Sequence, residues 1–553
     1  MDRNTILAFL LIGLVLLLWP LYQKKVIGER QVPVQKQAPA ASGQSGSNTE
    51  VATRPVDEST VSKPEKIRKM KSRTRKPVLE KRVVVSTDYF RGVLSNRGGG
   101  TIVSWKLKKF LDSKRENWVE LVPDSMNGAP VEGNLGLALR HLDGRTIDLS
   151  ETVFKMAADS QWVDKGDTLR MIRYSANIEG VGRVEKVFSF KPHQYDFQMD
   201  VVFHRMAEYS IGRGYEVEWN SGLMPTENKS KNDLPYYEAL ALQGDDMLKT
   251  KEKPTGTQEG TTNWIALRTK YFLAAIVPET AGTAASLSGK KIKFQNEDWK
   301  TFDLSLVMPP GEREDRDQFV VYVGPMDYPI LKSYNAGLEK MMNFGWTLIR
   351  PFSIAFFHAL QFLYKYLGNY GWAIIIFSIF IKVILYPLTR KSFQSMKKMQ
   401  ALQPKMNALR EKYKNDPQKL NQETMKLYKE EGVNPMGGCL PMALQMPVLY
   451  ALFNLFRTSI MLRQAEFLMI KDLSAPDMII AGSVNLLPIL LGISMIVQQR
   501  LSSTQNPQQK AMAYFMPIFL LFIFYRLSAG LNLYYFMFNA LTIAQELIIK
   551  KNK

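Results

Sequence analysis

A lysine inside a long apolar run constrains this chain more than any other feature. The run covers residues 371–387, and Lys382 lies within it. A run of this length and composition is typical of a membrane-spanning helix. A cation there costs roughly 2.5–3.5 kcal/mol on insertion scales, so it indicates a functional site. The alternative is that the lysine stem snorkels and carries the ammonium to the lipid head groups, because Pro387 is close by.

The composition argues against several kinds of chemistry. The chain has 553 residues, a formal net charge of +20 and one cysteine, Cys439, so an intrachain disulfide is impossible. Its four histidines form no cluster with zinc-ligand spacing, and no phosphate-binding loop is present. We therefore predict no metal and no cofactor. An enzyme could still be built from His141, His193 and His204 with a carboxylate, but surface or packing roles for these histidines are the preferred interpretation. We predict no catalytic residue and a protein that is not an enzyme.

The N-terminal part divides into an anchor and a tether. Residues 1–22 end in an apolar stretch with Trp19, Pro20 and Tyr22 at its border, which predicts an uncleaved signal-anchor helix. Residues 23–82 are rich in Pro, Gln, Ser, Lys and Arg and predict a disordered basic tether. Its basic cluster at 63–76 is interpreted as solvated, with anionic lipid or nucleic acid as alternative contacts.

Residues 83–330 predict a large antiparallel β-sandwich domain. Apolar and polar residues alternate along 195–203, and glycine-rich turns such as 96–100 separate short strands. One amphipathic helix is expected near residues 264–277, packed on the sheet.

The remainder is predicted to be helical. Residues 331–367 suggest an interfacial amphipathic helix, 368–389 the membrane helix with Lys382, and 390–432 a cytoplasmic helical hairpin in which Asp416 caps the second arm. Residues 433–549 predict four more membrane helices, near 436–456, 479–497, 511–527 and 531–549, before a basic tail at 550–553. With the N-terminal anchor this makes six spans.

The distribution of lysine and arginine sets the predicted orientation. Short loops with an excess of these residues stay in the cytoplasm. The basic hairpin, Arg500, Lys510 and the C-terminal lysines then lie inside, whereas only Arg457, Arg463, Lys471 and Arg526 lie in short outer loops. Both termini are therefore expected in the cytoplasm and the β-domain outside.

The other predicted spans offer Lys382 no acidic partner, and Glu546 lies only at the end of the last one. A cation without an obvious partner predicts a hydrated groove open to the cytoplasm. Polar residues of the spans are candidates for its lining: Ser378, Gln445, Asn454, Asn485, Asn539 and Thr542. For each the alternative is an interhelical hydrogen bond, worth about 0.6 kcal/mol. Such a groove favours partitioning of a polar segment, with apolar residues leaving sideways into lipid.

Several motifs resemble one family closely. The runs VNPMGGCLPMALQMPVLYALF (433–453), ILYPLTRKSFQSMKKMQALQPKM (384–406), LRQAEF (462–467), DLSAPD (472–477) and SAGLNLYYFMFN (528–539) are similar to the YidC membrane insertases and their organellar relatives. NWIALRTKYFLAAIVP (263–278) and YVGP (322–325) resemble the periplasmic domain of Gram-negative members. The resemblance covers all of the chain except the tether.

The resemblance implies a fold and a function. The fold is a polytopic α-helical membrane protein with a five-helix insertase core, a periplasmic antiparallel β-supersandwich and a cytoplasmic helical hairpin. The function is insertion and folding of inner-membrane proteins, alone or with the Sec translocon. Implied partners are nascent membrane-protein clients, the lipid bilayer, and the ribosome through the hairpin and the C-terminal tail; no specific nucleic-acid sequence is implied.

The resemblance also implies site residues. Client contacts would lie at Met446, Leu449, Tyr534 and Tyr535, and the groove cation at Lys382. The family's usual cation is arginine, and lysine lacks its bidentate fork. Any step that needs a bidentate grip is therefore not expected here.

Two other classes of protein remain as alternatives. One is a membrane-tethered carbohydrate-active enzyme with its chemistry in the β-domain. Deletion of about residues 83–311 would abolish the activity of such an enzyme, whereas an insertase should mostly survive it. The other is a small-solute transporter, which paired broken helices or an internal repeat would support. Neither feature is present in the sequence.

Overall fold

The computed structural model describes most of the chain after the tether. It covers residues 69–71, 79–126, 129–130, 134–140, 146–157, 162–163, 170–179, 182–204, 214–227, 230–250, 256–309, 315–433, 440–478, 484–502 and 507–551. The predicted anchor, residues 1–22, and most of the predicted tether lie outside the described residues. Residues Ile67–Ser502 and Met516–Lys553 form one compact unit.

The described residues of the β-domain form twenty-two strands. They are β1 (Lys69–Lys71), β2 (Arg82–Ser86), β3 (Phe90–Ser95), β4 (Thr101–Leu111), β5 (Trp118–Val122), β6 (Ser125–Met126), β7 (Ala129–Pro130), β8 (Gly136–Arg140), β9 (Thr146–Asp148), β10 (Lys155–Met156), β11 (Trp162–Val163), β12 (Arg170–Ile178), β13 (Gly182–Phe190), β14 (Asp196–His204), β15 (Tyr215–Trp219), β16 (Glu238–Gln243), β17 (Asp246–Thr250), β18 (Thr257–Arg268), β19 (Phe272–Pro278), β20 (Gly282–Phe294), β21 (Glu297–Met308) and β22 (Asp315–Pro325).

The strands form one large sheet, one small sheet and a separate β6–β7 pair. The large sheet has 15 strands in the order β1-β9-β8-β15-β21-β20-β18-β19-β22-β14-β13-β12-β10, with β16 and β17 branching from β18. The small sheet has the order β11-β2-β3-β4-β5. Pairing is antiparallel except for β1 with β9 and β11 with β2. The strand at Lys69–Lys71 lies within the segment predicted to be disordered, so that prediction is wrong at these three residues.

Aromatic side chains join the two sheets. Trp105 of the small sheet is fully buried and stacks on Phe90, with 4.2 Å between the ring centres. Its ring centre lies 5.4 Å from that of Phe197 in the large sheet. The predicted alternation along β14 is confirmed: Phe197, Met199, Val201 and Phe203 are all buried. Large aromatic residues bury enough apolar surface to hold two sheets face to face.

The expected amphipathic helix at 264–277 is wrong. This segment forms β18 and β19, which are paired antiparallel through Ile265–Arg268 and Leu273–Ile276. Both strands are internal to the sheet, and Trp264, Ile265 and Ala266 are all buried. A strand covered on both faces loses the alternating pattern and resembles a buried helix in sequence.

Ten helices are described. They are α1 (Ser230–Asp233), α2 (Tyr328–Ser333), α3 (Arg350–Leu367), α4 (Tyr370–Ala401), α5 (Gln403–Lys412), α6 (Pro417–Glu430), α7 (Leu440–Thr458), α8 (Leu486–Ser502), α9 (Pro507–Phe524) and α10 (Ala529–Lys551). Two short 3-10 turns lie at Leu338–Met341 and Ile460–Leu462.

Helix α3 has one buried apolar face and further apolar residues that are exposed. Phe356, Phe357 and Leu360 are buried, whereas Phe352 and Phe362 are exposed. This pattern agrees with the helix expected within 331–367, and its location at a membrane surface stays a prediction.

Helix α4 is longer than the span predicted at 368–389. Its 32 residues extend over about 48 Å at 1.5 Å per residue, and they continue into the segment predicted as the first arm of the hairpin. The helix begins at the side chain of Asn369, which accepts hydrogen bonds from the amides of Gly371 and Trp372. Asp416 caps α6 by accepting a hydrogen bond from the Lys419 amide at 3.0 Å, which confirms the predicted start of the second arm.

By length and composition, one helix in the described part of the chain suits a membrane crossing, over Tyr370–Pro387. Two shorter apolar helices are present at Leu486–Leu501 and Phe515–Phe524. The number of spans therefore stays a prediction.

Candidate functional site

The lysine of the apolar helix is buried and hydrogen-bonded. Lys382 is 7% exposed, and its Nζ donates to Oγ1 of Thr542 on α10 at 2.7 Å. The Thr542 hydroxyl in turn donates to the carbonyl oxygen of Phe538 at 2.8 Å, and the lysine Nζ lies 4.7 Å from the centre of the Phe538 ring. A hydrogen bond and a cation–π contact both favour the ammonium in an apolar surrounding.

An acidic side chain lies near the lysine. Glu546 follows Thr542 by one turn on α10, is buried, and its charge favours the Lys382 ammonium. The sequence offered no obvious acidic partner for Lys382, because Glu546 lies near the end of its helix.

A second polar contact links the same two helices. Nε2 of Gln545 on α10 donates to Oγ1 of Thr389 on α4 at 3.3 Å, and both residues are buried. Sequence analysis missed both of them. The available signal was their position: Gln545 follows Thr542 by three residues, and Thr389 follows Lys382 by two turns of helix.

Helix α8 contributes a third contact. Nδ2 of Asn539 donates to Oγ of Ser494 at 3.2 Å, and that hydroxyl donates to the carbonyl oxygen of Leu491 at 2.7 Å. Of the predicted residues, Thr542 thus contacts Lys382 of α4, and Asn539, three residues earlier on α10, contacts Ser494 of α8. We name these residues, with Thr389, Gln545 and Glu546, the polar cluster.

Other predicted lining residues lie elsewhere or turn inward. Ser378 is fully buried, and its hydroxyl donates to the carbonyl oxygen of Ile374 at 2.7 Å within α4. Asn454 donates to the carbonyl oxygen of Tyr450 in its own helix at 3.0 Å. Asn485 precedes α8, where it accepts from the Met478 amide and donates to the Tyr525 carbonyl oxygen. These contacts stabilise local structure and are separate from Lys382.

The predicted contact residues on α7 form a more exposed face. Met446 is 56% exposed, and Gln445 and Leu449 are half-buried. Tyr450, also exposed, stacks with Trp346 at 5.7 Å. A flexible, polarizable methionine on such a face suits contacts with apolar segments of varied shape.

Two adjacent tyrosines on α10 keep buried hydroxyl groups. Tyr534 is fully buried and Tyr535 half-buried, and their rings meet edge to face at 5.3 Å. Neither hydroxyl has a hydrogen-bond partner within the described part of the chain. Such groups are uncommon in folded proteins, and each is available to a bound polar group.

Comparison with known proteins decides the family. Residues 82–355 match the family described as the YidC periplasmic domain, and residues 362–553 match the family described as 60Kd inner membrane protein. A membrane protein insertase YidC from Prosthecochloris aestuarii is 36% identical over 100% of this chain and 95% of its own length. The chain belongs to the YidC family of membrane protein insertases.

Other YidC proteins are also similar to this chain. The membrane protein insertase YidC of Chlorobaculum tepidum is 34% identical over 99% of this chain and 94% of its own length. Among solved structures, an active YidC insertase with its first transmembrane domain resolved covers 85% of this chain and 92% of its own, at 19% identity and a TM-score of 0.36. The two family matches and the sequence relatives confirm the family resemblance of the motifs, and the β-domain corresponds to a YidC periplasmic domain.

Proposed function

We propose that this chain inserts membrane proteins through a groove in which α4, α8 and α10 hold the polar cluster and α7 presents its exposed apolar face. The observation that carries the proposal is the hydrogen bond between Lys382 and Thr542 inside an otherwise apolar helix pair. An intramembrane cation of this kind is retained for function, because an apolar residue there would cost less.

The proposed process is the partitioning of a client segment between water, the groove and lipid. A hydrophilic client segment entering the bilayer loses its water, and each unsatisfied polar group costs several kcal/mol in hydrocarbon, about 4–8 by transfer scales. The lysine ammonium, Asn539 and the two tyrosine hydroxyls offer the segment replacement hydrogen bonds. Apolar client residues then leave past Met446 into lipid. Such a process needs no covalent step.

The topology belongs to the same proposal. We place the signal anchor at 1–22, the basic tether at 23–82, the periplasmic domain at 83–330 and the interfacial helix within 331–367. Helices α4 and α7–α10 form the five-helix core within 368–389 and 433–549. The hairpin at 390–432 and the tail at 550–553 lie in the cytoplasm, with both termini.

Partners follow from charge and position. The hairpin is strongly basic, and exposed lysines such as Lys398, Lys412 and Lys414 suit contact with a ribosome's RNA surface. The C-terminal tail carries three lysines in four residues and suits the same contact. Nascent membrane proteins are the clients, and the Sec translocon is a second route of delivery.

Protease protection of a defined client tests the proposal. The purified full-length chain is placed in liposomes with a single-span client that has an acidic translocated tail. We compare wild type with Lys382→Ala and with Lys365→Ala, a matched control on α3. We expect tail protection with wild type and control and loss of protection with Lys382→Ala. Absence of protection with wild type in intact liposomes would contradict autonomous insertion, and equal protection by all three proteins would contradict a role for the charge.

A further inference from the structure

One loop contacts the first turns of two core helices. We define the outer loop as residues 459–478, between α7 and α8. The carboxylate of Asp477 accepts hydrogen bonds from the amides of Leu486 and Leu487, at 2.6 and 2.9 Å, at the start of α8. At the start of α10, the Ala529 amide donates to the carbonyl oxygen of Ala475 at 2.7 Å and the Gly530 amide to that of Leu473 at 2.8 Å. The first amides of a helix have no partner inside it, so the loop supplies them.

The same loop is packed on the start of α4. The ring of Phe467 packs directly on Gly371. A Cβ atom added to Gly371 would lie 2.0 Å from a carbon of that ring. The Phe467 ring also meets Trp372 edge to face at 5.4 Å. Asn369, which caps α4, donates to the carbonyl oxygen of Glu466 at 2.9 Å. All three helices of the polar cluster therefore begin against the outer loop.

The β-domain holds this loop through a buried arginine. The Arg463 side chain is 2% exposed, and its Nε donates to a carboxylate oxygen of Glu227 at 2.9 Å. Its two other nitrogens donate to the carbonyl oxygens of Leu111, at 2.9 Å, and Thr226, at 3.3 Å. A guanidinium with three acceptors from two separate segments fixes both position and direction.

Neighbouring contacts extend the connection. Nε2 of Gln464 donates to the carbonyl oxygen of Asp112 at 2.7 Å, and Arg115 forms an ion pair with Glu466. Arg115 also donates to the carbonyl oxygen of Lys471. The tip of the β4–β5 hairpin thus contacts the outer loop at several points.

We propose that Arg463 is a positioning residue through which the β-domain sets the outer ends of α4, α8 and α10. Because α4 and α10 both start at the loop, their alignment controls whether Lys382 meets Thr542. The effect on insertion rests on the proposed function, whereas the effect on helix ends does not. The β-domain then acts on the groove mechanically, through three helix starts, and needs no ligand of its own.

Hydrogen exchange of the full chain in lipid nanodiscs tests the connection. In Arg463→Ala we expect amides at 485–488 and 529–532 to exchange about tenfold faster than in wild type, because the loop carbonyls and carboxylate that protect them become mobile. The matched control is Arg183→Ala, which removes an ion pair with Glu185 in the same domain. It is expected to leave both segments unchanged.

The proposal is tested by which segments show faster amide exchange in Arg463→Ala. Faster exchange confined to residues 111–115 and 226–227 would mean simple docking and would overturn the proposal. So would unchanged exchange everywhere. Arg463→Lys keeps the charge beside Glu227 but loses the fork, so an intermediate rate is expected; this variant also serves if the alanine variant does not fold.

Insertion provides a separate readout. In the liposome assay we expect Arg463→Ala to lower the initial rate of client protection by about threefold, within the range of long-range coupling, and Arg463→Lys to restore part of it. A changed exchange pattern with no insertion by wild type would contradict the proposed function while supporting the connection. Normal insertion with unchanged exchange would overturn the connection alone.

Discussion

Lys382 and Thr542 are 160 residues apart in the chain, yet the lysine Nζ lies 2.7 Å from the threonine Oγ1. The pair joins α4 and α10, the first and last helices of the proposed membrane core. Both side chains are buried, and the threonine hydroxyl has its own acceptor one turn earlier in α10. The hydroxyl therefore accepts a hydrogen bond from the ammonium and donates one to a backbone carbonyl, which links the lysine to the backbone of α10.

Removal of the threonine hydroxyl tests this relationship. Thr542→Val keeps the shape and removes the acceptor, so the buried ammonium loses its direct partner. We expect about 1–3 kcal/mol lower stability, as for other buried groups left unsatisfied, together with slower insertion. Unfolding in detergent and the liposome assay measure the two effects. Thr458→Val, at the end of α7, is the control, and an equal loss in both variants would contradict a special role for Thr542.

The coupling between Lys382 and Glu546 is open to a double-mutant cycle. Lys382→Met alone leaves a buried carboxylate without its cation, and Glu546→Gln alone leaves the cation without its anion. We expect the double variant to be more stable than the sum of the single changes predicts, by about 1 kcal/mol or more, since interacting residues are not additive. Strict additivity of the measured unfolding free energies would show that the two charges do not interact.

Gly371 has a steric role that a matched pair of variants isolates. A methyl group there would overlap the Phe467 ring, so Gly371→Ala is expected to destabilise the chain by about 1–3 kcal/mol, a typical cost of overpacking. Phe467→Ala removes a buried ring and lowers stability by itself, but it also provides room for the methyl group. The double variant is therefore expected to be less destabilised than the sum of the two single changes predicts. Thermal unfolding of the three variants gives the answer, and strict additivity would place the cause elsewhere.

A buried lysine in the β-domain predicts a pH dependence of stability. Lys186 is fully buried, and its Nζ donates to the carbonyl oxygens of Gly98, at 3.2 Å, and Leu135, at 2.5 Å. Burial lowers the pKa of Lys186 to about 7. Between pH 7 and about 10 the unfolded chain then holds a proton that the folded chain has released. The free energy of unfolding therefore rises with pH across this window. The total rise is at most roughly 1.4 kcal/mol for each unit by which the pKa of Lys186 differs between the folded and unfolded chain.

The measurement is unfolding of the full chain in detergent at pH 7, 8.5 and 10, followed by the sheet signal in circular dichroism. Wild type is expected to gain stability over this range and Lys186→Met to lose the gain. Lys155→Met, at an exposed position, is the control. A parallel rise in wild type and Lys186→Met would assign the dependence to other groups.

Local sequence patterns predicted several elements of the fold correctly. Alternation along β14 predicted a strand with one buried face, and Asp416 followed by Pro417 predicted the start of α6. Both features depend on residues a few positions apart, so the chain itself specifies them. The segment at 264–277 shows the limit: whether an apolar run becomes a helix or two internal strands depends on what covers it, and its neighbours in the sheet are distant in sequence.

By itself the sequence determined the family, the presence of a lysine in an apolar helix and the division into a β-rich and a helical part. Tertiary structure alone decided what that lysine contacts. Gln545 meets Thr389 across two helices, and the charge of Glu546 acts on Lys382, because of helix packing, which composition and periodicity leave undetermined. The same holds for Arg463, which reads as one outer-loop cation among several in sequence and becomes a buried three-acceptor contact only when the β-domain folds against it.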